Sequence, residues 1–242
     1  MKIAISLTIS APGAGKGTQA ELLANELGLI HFDTGKYLER LLHSPEAEKD
    51  PILKREQINF DTGKLTTPEW ILGQAKKEAE KIATSGQGLI FSGSPRTLYE
   101  TFGDEKEEGL ANILVRLYGK ENVYFIKLDI DEETTIERNS KRMVCSVERF
   151  SILTEEDEER CRALGGLPEK RKALDDPEII RERLKEYRER TFPIIRRLKE
   201  EGYNVIEIDG RPFPDEVFDS ILRELKIEKQ QITNPKSQIN HK

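Results

Sequence analysis

The sequence predicts an α/β protein built on a parallel sheet with helices on both faces. Short aliphatic and β-branched runs recur along the chain, at residues 3–9, 29–32, 88–92, 123–130 and 204–208. Most of these runs are apolar at successive positions, which is typical of strands that helices cover on both faces. Stretches with helical spacing of apolar residues separate the runs, and strands that alternate with helices indicate parallel pairing.

Size and charge narrow the classes of function. The chain has 242 residues, of which 36% are hydrophobic and 35% are charged, so we expect one large domain with inserts or two small ones. The formal net charge of −6 argues against a protein that coats nucleic acid. No apolar run reaches membrane-spanning length, and residues 3–9 lack the layout of a signal peptide. We therefore expect a cytoplasmic protein whose two cysteines are reduced.

The first predicted strand leads into the strongest motif, Ser-Ala-Pro-Gly-Ala-Gly-Lys-Gly-Thr at 10–18. A glycine-rich loop lets backbone N–H groups surround an anion, and the following helix adds the positive end of its dipole. Lys16 can reach the β- and γ-phosphates of a nucleotide, and Thr18 can donate to phosphate or to the water around its metal ion. The motif's usual first glycine is Ser10, which restricts the backbone. The predicted ATP-binding residues of the loop are Gly13, Ala14, Gly15, Lys16, Gly17 and Thr18.

Helical patterns fill the intervals between the strands. Residues 18–27 and 177–200 carry apolar residues three and four positions apart. Asp176-Pro177-Glu178 suits a helix start, because proline fits the first turn and acids favour the positive end. Pro193 falls inside the second helix and is expected to kink it.

Two polar segments interrupt the alternation and are expected on the rim of the sheet. Residues 34–70 have a helical pattern with turn signals and no strand, and residues 143–175 are strongly charged. Residues 227–242 form a polar tail. The predicted core then consists of residues 1–33, 71–142 and 176–226.

Further motifs follow the glycine-rich loop in order. They are Asp-Thr-Gly at 33–35, Thr-Gly-Lys-Leu at 62–65, Ser-Gly-Ser-Pro-Arg-Thr at 92–97, Glu137-Arg138 with Arg142, and Asp-Asp-Pro-Glu at 175–178 before Arg183-Leu184. Together with Gly-Ala-Gly-Lys-Gly-Thr-Gln-Ala at 13–20, this set resembles the adenylate kinases and related nucleoside monophosphate kinases up to about residue 225. The resemblance implies a P-loop nucleoside-triphosphate-binding fold with a five-stranded parallel sheet. It also implies that residues 34–70 bind a monophosphate and that residues 143–175 form a lid over ATP.

The resemblance implies an enzyme that transfers the γ-phosphoryl group of MgATP reversibly to AMP or a related nucleoside monophosphate (NMP). Nothing in the sequence demands an oligomer, so we expect a monomer. No covalent intermediate forms, and lid closure excludes water. Arg96 would bind the acceptor phosphate, and Arg142 and Arg183 the transferring group. Arg138 would lie against the base of ATP.

The resemblance also assigns a lid arginine and an acceptor site. Arg171 is matched to the lid arginine, with Lys172 as an alternative because of a small insertion before Asp175. The catalytic cations are then Lys16, Arg96, Arg142, Arg171 and Arg183. The acceptor-binding residues are Thr34, Arg40, Lys64, Gly93, Arg96 and Glu100.

Two positions depart from the family pattern in ways that bear on the chemistry. The family's carboxylate after the third strand, which holds water around Mg²⁺, is Ser92 here, so metal binding should weaken unless another acid substitutes. The arginine expected five residues after Thr34 is Glu39, with Arg40 next to it. One residue along a helix is a rotation of about 100°, so Arg40 replaces that arginine only if the helix shifts.

Glu100 takes the place of the glutamine with which the family reads adenine. An ionised carboxylate only accepts hydrogen bonds and would face the lone pair of adenine N1 with its own. Guanine offers adjacent N–H donors and cytosine offers an amine, so we expect an acceptor base other than adenine, or contact through water. The alternative is that Glu100 is a helix residue that faces solvent.

The lid sequence is altered where some relatives bind zinc through two Cys-x-x-Cys pairs. The matching pairs are Cys145 with Glu148 and Cys161 with Leu164, which leaves a tetrahedral site one ligand short. We therefore expect no structural zinc and, in its place, a small apolar core. Its expected members are Phe150, Ile152, Leu153, Leu164 and Leu167.

Two alternatives to an NMP kinase stay open. One is a nucleotide-binding relative without catalysis, motivated by the departures at Ser10, Glu39, Ser92 and Glu100, although the retained cations argue against it. The other is a P-loop kinase for a different small molecule. Arg96 favours a phosphorylated acceptor over a sugar, because its guanidinium needs an anion to bind.

Overall fold

The computed structural model of the protein describes residues 2–170 and 175–226. Arg171, Lys172 and the tail 227–242 lie outside the described residues. The strands are β1 (Ala4–Ser6), β2 (Ile30–Phe32), β3 (Leu89–Phe91), β4 (Val123–Asp129), β5 (Met143–Cys145), β6 (Ser151–Ile152), β7 (Pro168–Glu169) and β8 (Asn204–Asp209). The α-helices are α1 (Lys16–Leu27), α2 (Thr34–Leu42), α3 (Pro51–Asp61), α4 (Pro68–Thr84), α5 (Leu98–Phe102), α6 (Leu110–Tyr118), α7 (Glu132–Lys141), α8 (Glu155–Ala163), α9 (Pro177–Glu186), α10 (Phe192–Glu200) and α11 (Pro214–Glu224).

The main sheet confirms the predicted fold class. Its five strands pair in parallel in the order β2-β3-β1-β4-β8. The central strand β1 pairs with β3 on one side, where Ile5 lies opposite Ile90, and with β4 on the other, where Ile5 lies opposite Tyr124. The chain runs from β1 toward the edge strand β2, and from β3 in the opposite direction along the sheet to β4. Such a switch point opens a crevice beyond the carboxyl ends of the strands.

Helices cover both faces of this sheet, as the apolar strands require. One face packs through Phe91 and Phe125 against buried residues of α4, α6 and α10. The other face packs through Ile5, Leu7 and Ile126 against α1 and α11. No helix among the described residues is both long and apolar enough to cross a lipid bilayer.

The segment 34–70 is helical and has a small core of its own. Leu38, Leu42 and Ile71 are buried there, with Trp70 and Phe60 packed against them. Glu56 on α3 is fully buried, and its carboxylate accepts hydrogen bonds from the backbone N–H of Thr67 at 2.7 Å and from the Thr67 hydroxyl at 2.6 Å. This carboxylate therefore ties α3 to the start of α4.

The segment 143–170 forms a second, antiparallel sheet in the order β6-β5-β7, with α8 packed beside it. Its two cysteines correct the expectation of free thiols, because Cys145 and Cys161 form a disulfide. The expectation rested on compartment alone, whereas the fold of the hairpin and α8 brings the two sulfur atoms together. Both cysteines are fully buried and pack with Phe150 and Ile152.

The predicted apolar core of this segment is only partly right. Phe150 and Ile152 belong to it. Leu153, Leu164 and Leu167 do not, since they are 58%, 47% and 68% exposed. The disulfide occupies the space between the hairpin and α8, so the three leucines are left at the surface.

The predicted helix 177–200 forms as one helical run with a change of winding. Asp176 caps α9 by accepting a hydrogen bond from the backbone N–H of Glu178, and Pro177 occupies the first turn. A π-helical turn, Tyr187–Thr191, separates α9 from α10. Pro193 lies in the first turn of α10, so the irregularity falls directly before the proline.

Candidate functional site

A cleft lies beyond the carboxyl ends of the central strands. It brings together the glycine-rich loop, the start of α2, the loop after β3, and residues from the two polar segments. The predicted site residues that line it are Gly13, Gly15, Lys16, Gly17, Thr18, Thr34, Lys64, Gly93, Arg96, Glu100, Arg142 and Arg183.

The glycine-rich loop has the backbone that its sequence predicts. Gly13 and Gly15 have φ angles of +81° and +88°, in the left-handed region that residues with a Cβ rarely adopt. Helix α1 begins at Lys16, directly after Gly15. The loop and the positive end of α1 therefore face the cleft together, as an anion site requires.

Ser10, at the motif's usual first glycine, is accommodated without left-handed backbone. Its hydroxyl donates to the carbonyl oxygen of Leu7 at 3.1 Å and accepts from the backbone N–H of Leu128 at 2.8 Å. The serine thus links the end of β1 to β4. Ser10 is therefore a buried residue that joins two strands by hydrogen bonds, and the loop keeps its geometry without a glycine at this position.

Lys16 is the centre of a cationic cluster. Its ammonium donates to the carbonyl oxygens of Ser10 and Ala11 at 3.0 and 2.7 Å. Burial lowers the pKa of Lys16 well below its ordinary value, and the charges of Arg96, Arg183 and Arg142 lower it further. Bound phosphate would oppose both effects on the pKa of Lys16, because an anion among these groups favours the charged amine.

Arg96 is held in place from two sides. Its Nε donates to the carbonyl oxygen of Gly93 at 2.7 Å, and its own carbonyl oxygen accepts from the Thr191 hydroxyl at 2.8 Å. Gly93 lies so close to Thr34 that a Cβ at residue 93 would be 2.4 Å from the Cβ of Thr34. Only glycine allows this approach, which places the loop after β3 against the start of α2.

Glu100 is buried rather than exposed to solvent, which removes the alternative that it is a surface residue of its helix. It is 2% exposed and lines the cleft. Its carboxylate accepts from the backbone N–H of Arg96 at 2.9 Å and from the Thr97 hydroxyl at 3.0 Å. Burial raises the pKa of Glu100 to about 6, although these hydrogen bonds and the charges of Arg96 and Arg190 oppose the shift.

The position after β3 carries no acid, but acids lie nearby. The Ser92 hydroxyl and His31 Nε2 are 2.8 Å apart, and burial lowers the pKa of His31, which favours the neutral ring. Asp33 and Glu21 line the same cleft as Thr18 and Ser92. Carboxylate and hydroxyl oxygens are the partners that hydrated Mg²⁺ prefers. Asp33 and Glu21 therefore offer carboxylates near the phosphate loop, although the position after β3 is Ser92.

The structure does not bring every predicted residue into the cleft. Arg40 is exposed, because α2 is regular and presents Glu39 to the cleft instead. Ala14 is buried within the loop. Arg138 lies away from the cleft lining and donates to the carbonyl oxygens of Gly210 and Arg211 at 2.7 and 2.8 Å. Arg171 falls outside the described residues.

Arg149 lines the cleft but belongs to none of the sequence motifs that predict the site. Arg149, in the turn between β5 and β6, forms ion pairs with Glu39 at 2.7 Å and with Glu169 at 2.5 Å. No local pattern marks Arg149, since its partners are distant in sequence. The sole signal was the acid at position 39, where the family pattern has an arginine.

Comparison with known proteins agrees with this geometry. The family model described as adenylate kinase matches residues 8–203. An adenylate kinase of Paracoccus denitrificans is 31% identical over 221 residues, which cover 90% of this chain and 94% of that protein. One of Chlamydia pneumoniae is 29% identical over 222 residues, covering 92% and 97%. One of Halobacterium salinarum is 31% identical over 226 residues, covering 89% and 93%.

Proposed function

The chain belongs to the adenylate kinase family, and from this premise we propose that its cleft transfers the γ-phosphoryl group of MgATP to an NMP through Lys16 and three arginines. The observation that carries the proposal is the gathering of Lys16, Arg96, Arg142 and Arg183 in one cleft. Charge-assisted hydrogen bonds from lysine and arginine suit phosphate oxygens, and two nucleotides meeting in this cleft would bring several phosphates among the four cations.

We assign each cation a part in the transfer. Lys16 and the glycine-rich loop hold the ATP phosphates, with Thr18 toward the magnesium that accompanies them as part of the substrate. Arg96, fixed by Gly93 and Thr191, holds the acceptor phosphate. Arg142 and Arg183 neutralise charge on the group in transit. The protein then acts by positioning and electrostatic stabilisation, with no covalent intermediate.

We propose that the two polar segments are the moving parts. Residues 34–70 bind the acceptor, and residues 143–175, which include Arg171, close over ATP. The remaining predicted core, 1–33 with 71–142 and 176–226, holds the phosphate loop. In this arrangement both nucleotides bind within a single chain, so we propose a monomer. Closure of both segments excludes water, so the phosphoryl group passes to the acceptor.

The acceptor base is the open point within this function. AMP is the acceptor that the family name suggests, and Thr34, Lys64 and Gly93 line the cleft in which it would bind. Glu100 favours a different base while it is ionised, because its carboxylate offers only acceptors. Guanine would donate two adjacent N–H groups to it, whereas adenine and cytosine each place a ring-nitrogen lone pair beside their amine. We therefore propose an NMP whose base has adjacent N–H donors at the edge that meets Glu100, as guanine does.

The proposal is tested by analysing products from MgATP with AMP, GMP, CMP and UMP in turn. We expect one NMP to yield its diphosphate together with ADP. Lys16→Ala should lower kcat by about 100-fold or more, because a preorganised cation at the transferring phosphates is lost. Lys81→Ala is the matched control, since Lys81 is an exposed lysine on α4 outside the cleft. Full activity in Lys16→Ala would overturn the assignment.

A further inference from the structure

Arg149 has a backbone conformation that is rare for its residue type. Its φ angle is +56°, in the left-handed region, where a side chain with a Cβ is strained. Its N–H donates to the carbonyl oxygen of Cys145 at 3.0 Å, and the N–H of Cys145 donates to Phe150 at the same distance. These bonds and the disulfide of Cys145 hold the turn. Strain of this kind persists where the surroundings impose it, commonly at functional sites.

The side chain of Arg149 connects the two polar segments. One terminal nitrogen, Nη1, pairs with Glu169 on β7, within the same segment. The other, Nη2, pairs with Glu39 on α2, across 110 residues of sequence. The planar guanidinium suits this arrangement, because its N–H groups point in fixed directions toward separate carboxylates.

The ion pair between Arg149 and Glu39 stands at the cleft. Both side chains are about three-quarters buried, with 25% and 26% exposed, and both line the cleft beside Lys36 and Phe60. A pair in this position is less screened by salt than a surface pair. Where the family pattern has an arginine at position 39, this chain has Glu39. The change removes a cation from segment 34–70 and provides a carboxylate that pairs with Arg149 of the other segment.

We infer that Arg149 is a positioning residue that locks segment 143–170 onto segment 34–70 through Glu39 once both close over the nucleotides. This inference rests on the proposed function of the two segments. The lock favours the closed state and so tightens the acceptor and MgATP together, because coupling between two bound ligands is reciprocal. It also keeps water from the transferring group.

The test uses Arg149→Gln, Glu39→Gln and the double variant, with steady-state kinetics and a separate measurement of inorganic phosphate release. We expect each single variant to raise the KM of the acceptor about fivefold. Phosphate release per diphosphate formed should also rise, which a merely structural loss would not cause. The double variant should be no worse than either single variant, since both remove one interaction. Arg162→Gln is the matched control, because Arg162 pairs with Glu158 within α8.

Wild-type KM and wild-type phosphate release in Arg149→Gln, or additive effects in the double variant, would overturn the inference. Failure of the proposed function has a different signature, namely no diphosphate from the wild-type chain with any NMP. In that case hydrogen exchange tests whether Arg149 holds the two segments together through Glu39. Peptides covering residues 34–42 and 143–152 should exchange faster in Arg149→Gln than in wild type in the presence of MgATP, and equal exchange would refute it.

Discussion

The backbone N–H of Arg96 lies 2.9 Å from the Oε2 atom of Glu100. The arginine that we assign to the acceptor phosphate and the carboxylate that we assign to the acceptor base are therefore directly joined. A change at Glu100 is transmitted to Arg96 through a single hydrogen bond. If both assignments hold, we expect base recognition and phosphate binding to be coupled at this site.

Glu100→Gln is expected to change the preferred acceptor. Wild type should use GMP with a higher kcat/KM than AMP near pH 7.5, because an ionised carboxylate accepts hydrogen bonds from two adjacent N–H groups of guanine, whereas adenine places the N1 lone pair beside its amine. An amide also donates, so the variant should shift toward AMP by about tenfold, the effect of one polar contact. Relative kcat/KM values for the four acceptors check this, with Glu105→Gln as the exposed control. A clear AMP preference in wild type that Glu100→Gln leaves unchanged would contradict the prediction.

The same carboxylate predicts a pH-dependent preference. Because burial raises the pKa of Glu100 to about 6, the group is protonated at pH 5 and can donate to adenine N1. Use of AMP relative to GMP should therefore increase as the pH falls from 7.5 to 5. Arg96 and Arg190 are the charged groups that act on Glu100, and neither loses its charge in this range. A constant ratio of the two kcat/KM values would exclude this role.

Stability should follow the same titration. Since the folded-state pKa lies above the ordinary value of 4.5, ionising Glu100 costs folding free energy. The free energy of unfolding should fall by about 2 kcal/mol from this group as the pH rises from 4.5 through 6. Urea unfolding of wild type and Glu100→Gln at pH 5 and pH 7.5 measures the difference. A gap between the two proteins that does not change with pH would count against the buried carboxylate as its source.

Glu56→Ala is expected to loosen segment 34–70. The variant leaves the backbone N–H of Thr67 without its buried acceptor, which costs about 2–3 kcal/mol. Burial would raise the pKa of Glu56, but hydrogen bonds from Thr67 and Arg55 outweigh it and hold the pKa below its ordinary value. The stabilisation is therefore present above pH 4.5 and lost as the pH falls through the lower folded-state pKa. Denaturant unfolding at pH 7 and pH 4 measures it, and Glu48→Ala on the exposed surface should have little effect.

Reduction of the disulfide is expected to destabilise segment 143–175. The Cys145–Cys161 bond closes a loop with a sequence separation of 16, for which chain entropy predicts about 3 kcal/mol. Dithiothreitol, or Cys145→Ser with Cys161→Ser, should lower the unfolding temperature and raise the KM for MgATP. We also propose that no zinc supports this segment. A chelator followed by restored Mg²⁺ should then leave the unfolding temperature unchanged, whereas a decrease would indicate a structural metal.

The parts of the fold that follow local rules are predictable from sequence. Apolar runs and the alternation with helices suffice for the parallel sheet, and Asp176-Pro177 for the start of α9. The glycine-rich loop is predictable because its residues are contiguous and its chemistry is backbone chemistry. Glu100 could be singled out because it takes the place of a glutamine in the family pattern, and its partners Arg96 and Thr97 lie within four residues of it.

Contacts between distant segments are not predictable in this way. The partner of Glu39 is 110 residues away, in a turn whose composition has no distinguishing feature. The disulfide depends on how β5 and α8 pack, which neither cysteine encodes locally. Ser10 shows the same limit, because its hydroxyl accepts from Leu128 on the neighbouring strand β4, 118 residues along the chain. In each case tertiary geometry decides what a side chain does.

Trp70 has a practical consequence for experiments. It is the chain's single tryptophan, and it packs against Leu38 and Leu42 in the small core of segment 34–70. Indole emission responds to the polarity around the ring, so movement of this segment should change the intrinsic fluorescence. With segment 34–70 in the role that we propose, Trp70 would act as a built-in optical reporter of acceptor binding, and stopped-flow records would follow that step without an attached dye.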